Sequence, residues 1–342
     1  MIIEEVGQMG EIKFYTSVAL DAICYLETRC RKDKRLRKEE QDAIDELEEK
    51  LGGRLDNDYI CASNLCYIIS AYTHNQSLEN LSLQDLIHIL ENIEDVNQIV
   101  REKVTNDFTA SYIFFELKYL VQGRAEDYIK RLKVLQDIGF ENFWYTKILP
   151  KLQEQIALKA DKLDQKNPSQ LLDNIAYFKA TPPIEEVKVY EVYFSGNVAF
   201  ALHGGNLLDM FNEGIDIYQL VGHELMHGFA SSKLIKYYEH YVEQDAYLRE
   251  KNRLLLQSSG NEEDFVMAAD HYLMYISGNK SEKELRDALK KRYGGNLPVA
   301  SIIFELLLQE EKIPYDYNGW LIRQFEENKF PIIDIENYIK NL

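Results

Sequence analysis

Apolar residues recur at steps of three and four through most of the first half of the chain, the period of helices with one buried face. From Ile12 to Cys30 the repeat runs through Phe14, Val18, Ala19, Ala22, Ile23 and Leu26, which predicts one helix. Lys32 to Leu51 is charged on most faces and carries only a thin stripe of Leu36, Ile44, Leu47 and Leu51. A solvated surface helix is expected there, closed by Gly52-Gly53. Asn64 to Tyr72, a run opened by Ser82 (Leu83, Leu86, Ile87, Leu90, Ile93), Phe108 to Gln122, Ala125 to Ile138 and Phe143 to Asp164 read as further helices. Pro150 either kinks the last of these or starts it.

The pattern changes after Thr181-Pro182-Pro183. Val187 to Phe194 alternates and is rich in β-branched and aromatic residues, a strand signature. Ser195-Gly196-Asn197 reads as a turn and Val198 to Leu202 as a second strand, so a hairpin is expected, closed by His203-Gly204-Gly205-Asn206. Helical periods then return. One helix is expected from Ile215 or Asp216 to about Ser231 and another from Lys233 to Leu256, broken at Ser258-Ser259-Gly260-Asn261. Glu262 opens a helix with a broad apolar face (Phe265, Val266, Ala268, Ala269, Tyr272, Leu273, Ile276) that ends at Gly278-Asn279. Leu297 to Leu308 and two short stretches around Pro331 complete the chain. The fold class read from this is mainly α, of the α+β kind, with a helical domain over residues 1–180 and a second domain over 181–342 that carries a small β-hairpin.

A length of 342 residues suits two domains, and only 7 Pro and 17 Gly favour long regular elements. The net charge of -18 argues against nucleic acid and anionic membranes as partners. Residues Met1 to Glu11 carry Glu4, Glu5 and Glu11 where a secretion signal would have basic and apolar runs, and no apolar stretch approaches a membrane span. A cytoplasmic location is therefore expected, with Cys24, Cys30, Cys61 and Cys66 as reduced thiols; their spacing is not that of a zinc knuckle.

Chemistry concentrates at Leu220-Val221-Gly222-His223-Glu224-Leu225-Met226-His227-Gly228-Phe229, which contains H-E-x-x-H. Residues four apart on a helix share a face, so His223 and His227 can direct two imidazoles at one metal ion, and Glu224 can reach water there as a general base. The flanking residues are uncharged, as in a buried helix that carries a site. A core helix with two hydrogen-bonded histidines is the plainer alternative, but it buries two His and a Glu at a cost of several kcal/mol.

Two histidines leave a catalytic zinc one protein ligand short. A third His six residues after His227 is excluded because Lys233 stands there, and His240 reads as a solvated residue of a charged helix. The remaining source is a carboxylate at the start of the next apolar helix, among Glu262, Glu263 and Asp264. Acids are favoured at a helix N-terminus in any case. The apolar face alone slightly favours Glu262, which lines up with Phe265, Val266 and Ala269.

With these residues the chain resembles the gluzincins, metallopeptidases with H-E-x-x-H on one helix and a Glu ligand on a following one. It is similar to poorly characterised bacterial zinc peptidases whose ligand opens an E-x-F-x-x-A stretch, here Glu263-Asp264-Phe265-Val266-Met267-Ala268. The resemblance spans roughly residues 187–310 and implies a zincin-like second domain with zinc on His223, His227 and Glu263. Thermolysin-like gluzincins carry an Asp four residues after the ligand Glu; Met267 stands there in this chain, and Asp270, one heptad after Glu263, is the candidate replacement for holding a ligand histidine.

The expected activity is zinc-dependent hydrolysis of peptide bonds in a peptide or protein substrate, with Glu224 as base. Gluzincins add a Tyr or His that stabilises the oxyanion; His271 leads here, with Tyr272, Tyr275 and Tyr293 as alternatives. The resemblance also implies an edge strand, Val198 to Leu202, along the substrate, with His203 either lining a cleft or forming the turn. The rival readings are a non-catalytic helical zinc-binding or interaction protein, and a zinc hydrolase of a non-peptide substrate. Oligomeric state and the role of the first 180 residues are not legible in the sequence.

Overall fold

Ser17 separates two backbone conformations. Before it, Glu11–Thr16 alternates as a strand (β1); after it, Val18–Arg31 is helical. The Ser17 hydroxyl accepts from the Leu20 amide at 3.3 Å, and such a side-chain acceptor starts a helix at the next residue. The helix expected from Ile12 therefore begins later, and its first five residues belong to a sheet. The computed structural model describes residues 10–31, 38–55, 61–73, 78–105, 107–194, 199–210, 216–256 and 260–342. It is mainly helical with one four-stranded sheet, the α+β class expected. Among the described residues, no helix is long and apolar enough to cross a membrane.

The chain divides into two compact units, and neither is one run of sequence. One comprises residues 12–164 and 187–215; the other comprises 1–11, 165–186 and 216–342. The single cut expected near residue 180 is replaced by this interleaving. Residues 165–186 go with the H-E-x-x-H helix, while the strands after Pro183 go with the helices of the first half.

In the first unit the sheet is completed by β2 (Glu186–Val192), β3 (Ala199–Ala201) and β4 (Leu207–Met210), in the order β1-β2-β4-β3. The expected hairpin of β2 with β3 does not form. β3 pairs antiparallel with β4, and β2 pairs parallel with β4. The reversal sits at His203–Gly205, where Gly204 and Gly205 take φ of 73° and 80°, a conformation open to glycine, and the Leu202 amide donates to Asn206 O at 2.7 Å. The turn expected at Ser195-Gly196-Asn197 lies outside the described residues. Tyr190, Val192, Tyr193, Phe194 and Leu208 enter one core with helix residues such as Leu20, Ile23, Leu65, Ile69 and Leu152.

The parallel register places Glu191 directly opposite Asp209. Both are fully buried, and Lys159, itself buried, bridges them at 2.8 and 2.6 Å. Two like charges at neighbouring ladder positions repel, so the ammonium is what allows this register.

Several expected helix boundaries hold for the expected reason. Ser82 opens Leu83–Glu91 through a capping box with Asp85, and Leu51 is followed by Gly52 and Gly53 at φ of 56° and 79°. Pro150 does not start a helix: the helical backbone runs on from Phe140 to Asp164, and a π-helical turn at Trp144–Ile148 just before Pro150 accommodates the amide that a proline lacks. The long helix expected from Lys233 is instead two, Ser232–Glu243 and Ala246–Leu255, because Asp245 caps the second by accepting from the Leu248 amide. Of the break at Ser258-Ser259-Gly260-Asn261, Ser258 and Ser259 lie outside the described residues. Cys24, Cys61 and Cys66 are free thiols; the Cys30 side chain lies outside the described residues.

In the second unit three helices pack together: Pro168–Lys179, the motif helix Ile217–Met226 and the acid helix Glu263–Ile276, which also packs on Pro298–Leu308. Every residue of the acid helix from Glu263 to Met274 is buried. The motif helix was expected to reach Ser231 but ends at Met226. His227 turns out with ψ of 156°, and Gly228 takes φ of 74°.

Replacing Lys159 by Met leaves two buried carboxylates facing each other, so destabilisation by about 3–5 kcal/mol is expected in denaturant titrations. Gly222 in the motif helix has room for a methyl group: an added Cβ would lie 3.5 Å from Leu171 Cδ1 and 3.9 Å from Leu273 Cδ1. Gly222→Ala should therefore raise stability by about 0.5–1 kcal/mol through helix propensity, and a lower midpoint in the same titration would show that the contact is closed.

Candidate metal centre

The motif helix and the acid helix run antiparallel past each other. Glu262 meets His227, and Asp270, about two helical turns on, meets His223 one turn earlier. A spacing of seven residues returns Asp270 to nearly the same face as Glu263, so one helix face presents both carboxylates to the motif helix. His223 and His227 lie four apart, and their Nε2 atoms are 3.3 Å apart. Glu263 brings its carboxylate oxygens to 3.7 Å from His223 Nε2 and 4.0 Å from His227 Nε2.

Among the described residues, His223, His227 and Glu263 form the group in which three donor atoms converge. Bonds of about 2.0–2.1 Å to a tetrahedral zinc place ligand nitrogens about 3.3 Å apart, so the two imidazoles already have the spacing of ligands. The donor set fits a divalent metal: two nitrogens and one carboxylate oxygen. Both rings are turned correctly as well. Asp270 Oδ2 accepts from His223 Nδ1 at 3.2 Å and Glu262 Oε2 accepts from His227 Nδ1 at 3.3 Å, which turns each Nε2 towards the convergence point. The histidine side chains keep 15% and 29% of their surface exposed against 4% for Glu263, so the centre opens on the imidazole side.

The three acids at the head of the acid helix are thereby separated. Glu263 joins the histidines. Glu262 accepts from the Gly228 and Ala230 amides at 3.0 Å each, besides His227. Asp264 points elsewhere in the fold, accepting from the Tyr238 hydroxyl at 2.6 Å and the Ala300 amide at 2.7 Å. Glu224, next to His223 in the motif helix, is buried, and its charge acts on both imidazoles.

Negative charge dominates the surroundings. Burial alone would lower the pKa of His223, but the hydrogen bond to Asp270 and the charges of Glu263, Glu224 and Asp270 raise it to about 9. For His227 burial again opposes, and the hydrogen bond to Glu262 with the charges of Glu224 and Glu262 carries its pKa upward. Burial pushes Glu262 up, but His227 and the two backbone amides hold it below the usual carboxylate range. Burial lifts Asp264 to about 7. The environment around the two rings favours positive charge, as a cation site must.

His271 is not placed as the expected oxyanion donor. Its Nδ1 contacts Asp270 Oδ1, and Asp270 lies on the Nδ1 edge of His223, opposite the Nε2 edge where the ligands converge. Buried on that side, the His271 ring supports Asp270. Tyr272 packs against Phe178, and Tyr275 is exposed about 18 Å along the helix from Glu263. The Tyr293 side chain lies outside the described residues. His240 is exposed and pairs with Gln244, as expected of a surface residue. His203 forms the turn between β3 and β4, its ring against Tyr67, in the other compact unit.

Sequence reasoning missed the part played by Glu262. The signal was Gly228, the kind of residue that ends a helix: past that end the Gly228 and Ala230 amides lie in a turn, where Glu262 accepts from them.

Glu263→Ala should weaken zinc binding by more than about a hundredfold, beyond the tenfold to hundredfold typical of an outer partner, whereas Asp264→Asn should still bind one ion per chain. Competition against a chromogenic chelator distinguishes the two. No protein-family model, no curated protein and no solved structure matches the chain, so the assignment of this centre rests on its own residues.

Proposed function

We propose that the chain is a zinc-dependent peptidase. The observation that carries this reading is the meeting of His223, His227 and Glu263, each imidazole fixed by its own carboxylate, with Glu224 beside the first ligand. Zinc fits the donor set better than calcium or magnesium, which take oxygen donors almost exclusively. When bound, it would lower the pKa of a water to about 7 and polarise a carbonyl.

The other steps belong to side chains. Glu224, one residue from His223 and buried, takes the proton from the attacking water and returns it to the leaving amine. Glu262 and Asp270 hold the two rings in one tautomer throughout. The opening on the imidazole side admits the substrate, a peptide or protein segment, and the buried acid helix closes the opposite side. A purely structural metal site has no use for a carboxylate adjacent to its first ligand, which favours a hydrolase over a non-catalytic zinc protein.

Glu224→Gln separates the readings. The variant is expected to bind one zinc with affinity close to that of the unaltered chain while losing at least about a hundredfold in cleavage of a peptide library. Equal cleavage by both, or none by the zinc-loaded unaltered chain, would turn the reading to a binding role.

A further inference from the structure

The second ligand stands outside the helix that carries the first. His227 caps the motif helix, and its amide keeps only a 3.3 Å bond to Glu224 O before the backbone leaves the helical conformation. Helical spacing alone therefore does not place its ring. At this point the chain has carbonyls at a helix end and amides in a turn, all needing partners.

Two oppositely charged side chains supply them. Lys179, at the end of Pro168–Lys179, donates from Nζ to Leu225 O at 2.7 Å and to His227 O at 3.0 Å. A cation is favoured at a helix C-terminus, and burial holds this ammonium below the usual lysine range. Glu262 takes the other polarity. One of its oxygens accepts from His227 Nδ1 and the Gly228 amide, and the other accepts from the Ala230 amide. The ammonium grips the carbonyls and the carboxylate grips the amides and the ring, so residues 225–230 are held from both sides.

We infer that Lys179 and Glu262 form a charge clamp that replaces the missing helical turn and sets His227 at ligating distance, making metal affinity depend on a lysine far from the motif in sequence. Both are positioning residues, and the inference rests on the metal reading of His223, His227 and Glu263.

Cobalt(II) serves as the probe, because its absorption bands report ligand geometry as well as occupancy. Lys179→Met keeps the aliphatic stem and removes the charge; Glu262→Gln keeps the shape. Each should bind cobalt about tenfold to a hundredfold more weakly with altered bands, and Lys179→Arg should recover most of the loss. In the metal-free protein, Glu262→Gln should speed hydrogen exchange at the Gly228 and Ala230 amides, a readout that keeps the clamp testable if the Lys179→Met chain folds poorly. Unchanged cobalt affinity and bands in both variants overturn the clamp and leave the metal reading standing. Failure of the unaltered chain to bind cobalt or zinc overturns both.

Discussion

Negative charge packed between two buried helices is the constraint on which this centre depends. Glu224, Glu262, Glu263 and Asp270 are all buried around the two imidazoles. Carboxylates are expensive to remove from water unless each is neutralised or fully hydrogen-bonded. Two of these acids are satisfied by ring and backbone N–H groups. Glu263 faces the same point as both Nε2 atoms, and a divalent cation there would balance what remains.

The antiparallel pairing of the motif and acid helices converts that charge into geometry. Each imidazole sits between an outer carboxylate at Nδ1 and the convergence point at Nε2. The two ring partners, Glu262 and Asp270, stand eight positions apart, one capping the acid helix and the other inside it, with Glu263 between them. His271 then extends the network behind Asp270.

How much of this was legible depended on whether a feature is local. The H-E-x-x-H pair follows from a helical period within one turn, and Asp270 from its place one heptad after Glu263; Glu263 itself came from a resemblance, because the apolar face of its helix points to Glu262 instead. The capping box at Ser82 is local too. What escaped was set by tertiary partners. β4 is four residues long, Leu207–Met210, too short for an alternation to register, and it stands between β2 and β3, which were expected to pair with each other. The end of the motif helix at His227 depends on Glu262 and Lys179, which lie 35 and 48 residues away from it in sequence. His271 was chosen by residue type alone, which does not reveal that its ring is buried against Asp270.

The interleaving of the two compact units bears on how the chain acquires its structure during synthesis. Pro168–Lys179 emerges after β1 but before β2, β3 and β4, and packs against a motif helix that is made only after them. That early helix must wait, its apolar face uncovered, while β2, β3 and β4 are delivered to helices already present. Contacts of such long sequence separation close slowly and leave half-made surfaces open to wrong partners. The unit that houses the histidines is thus assembled last, from segments the ribosome releases at different times.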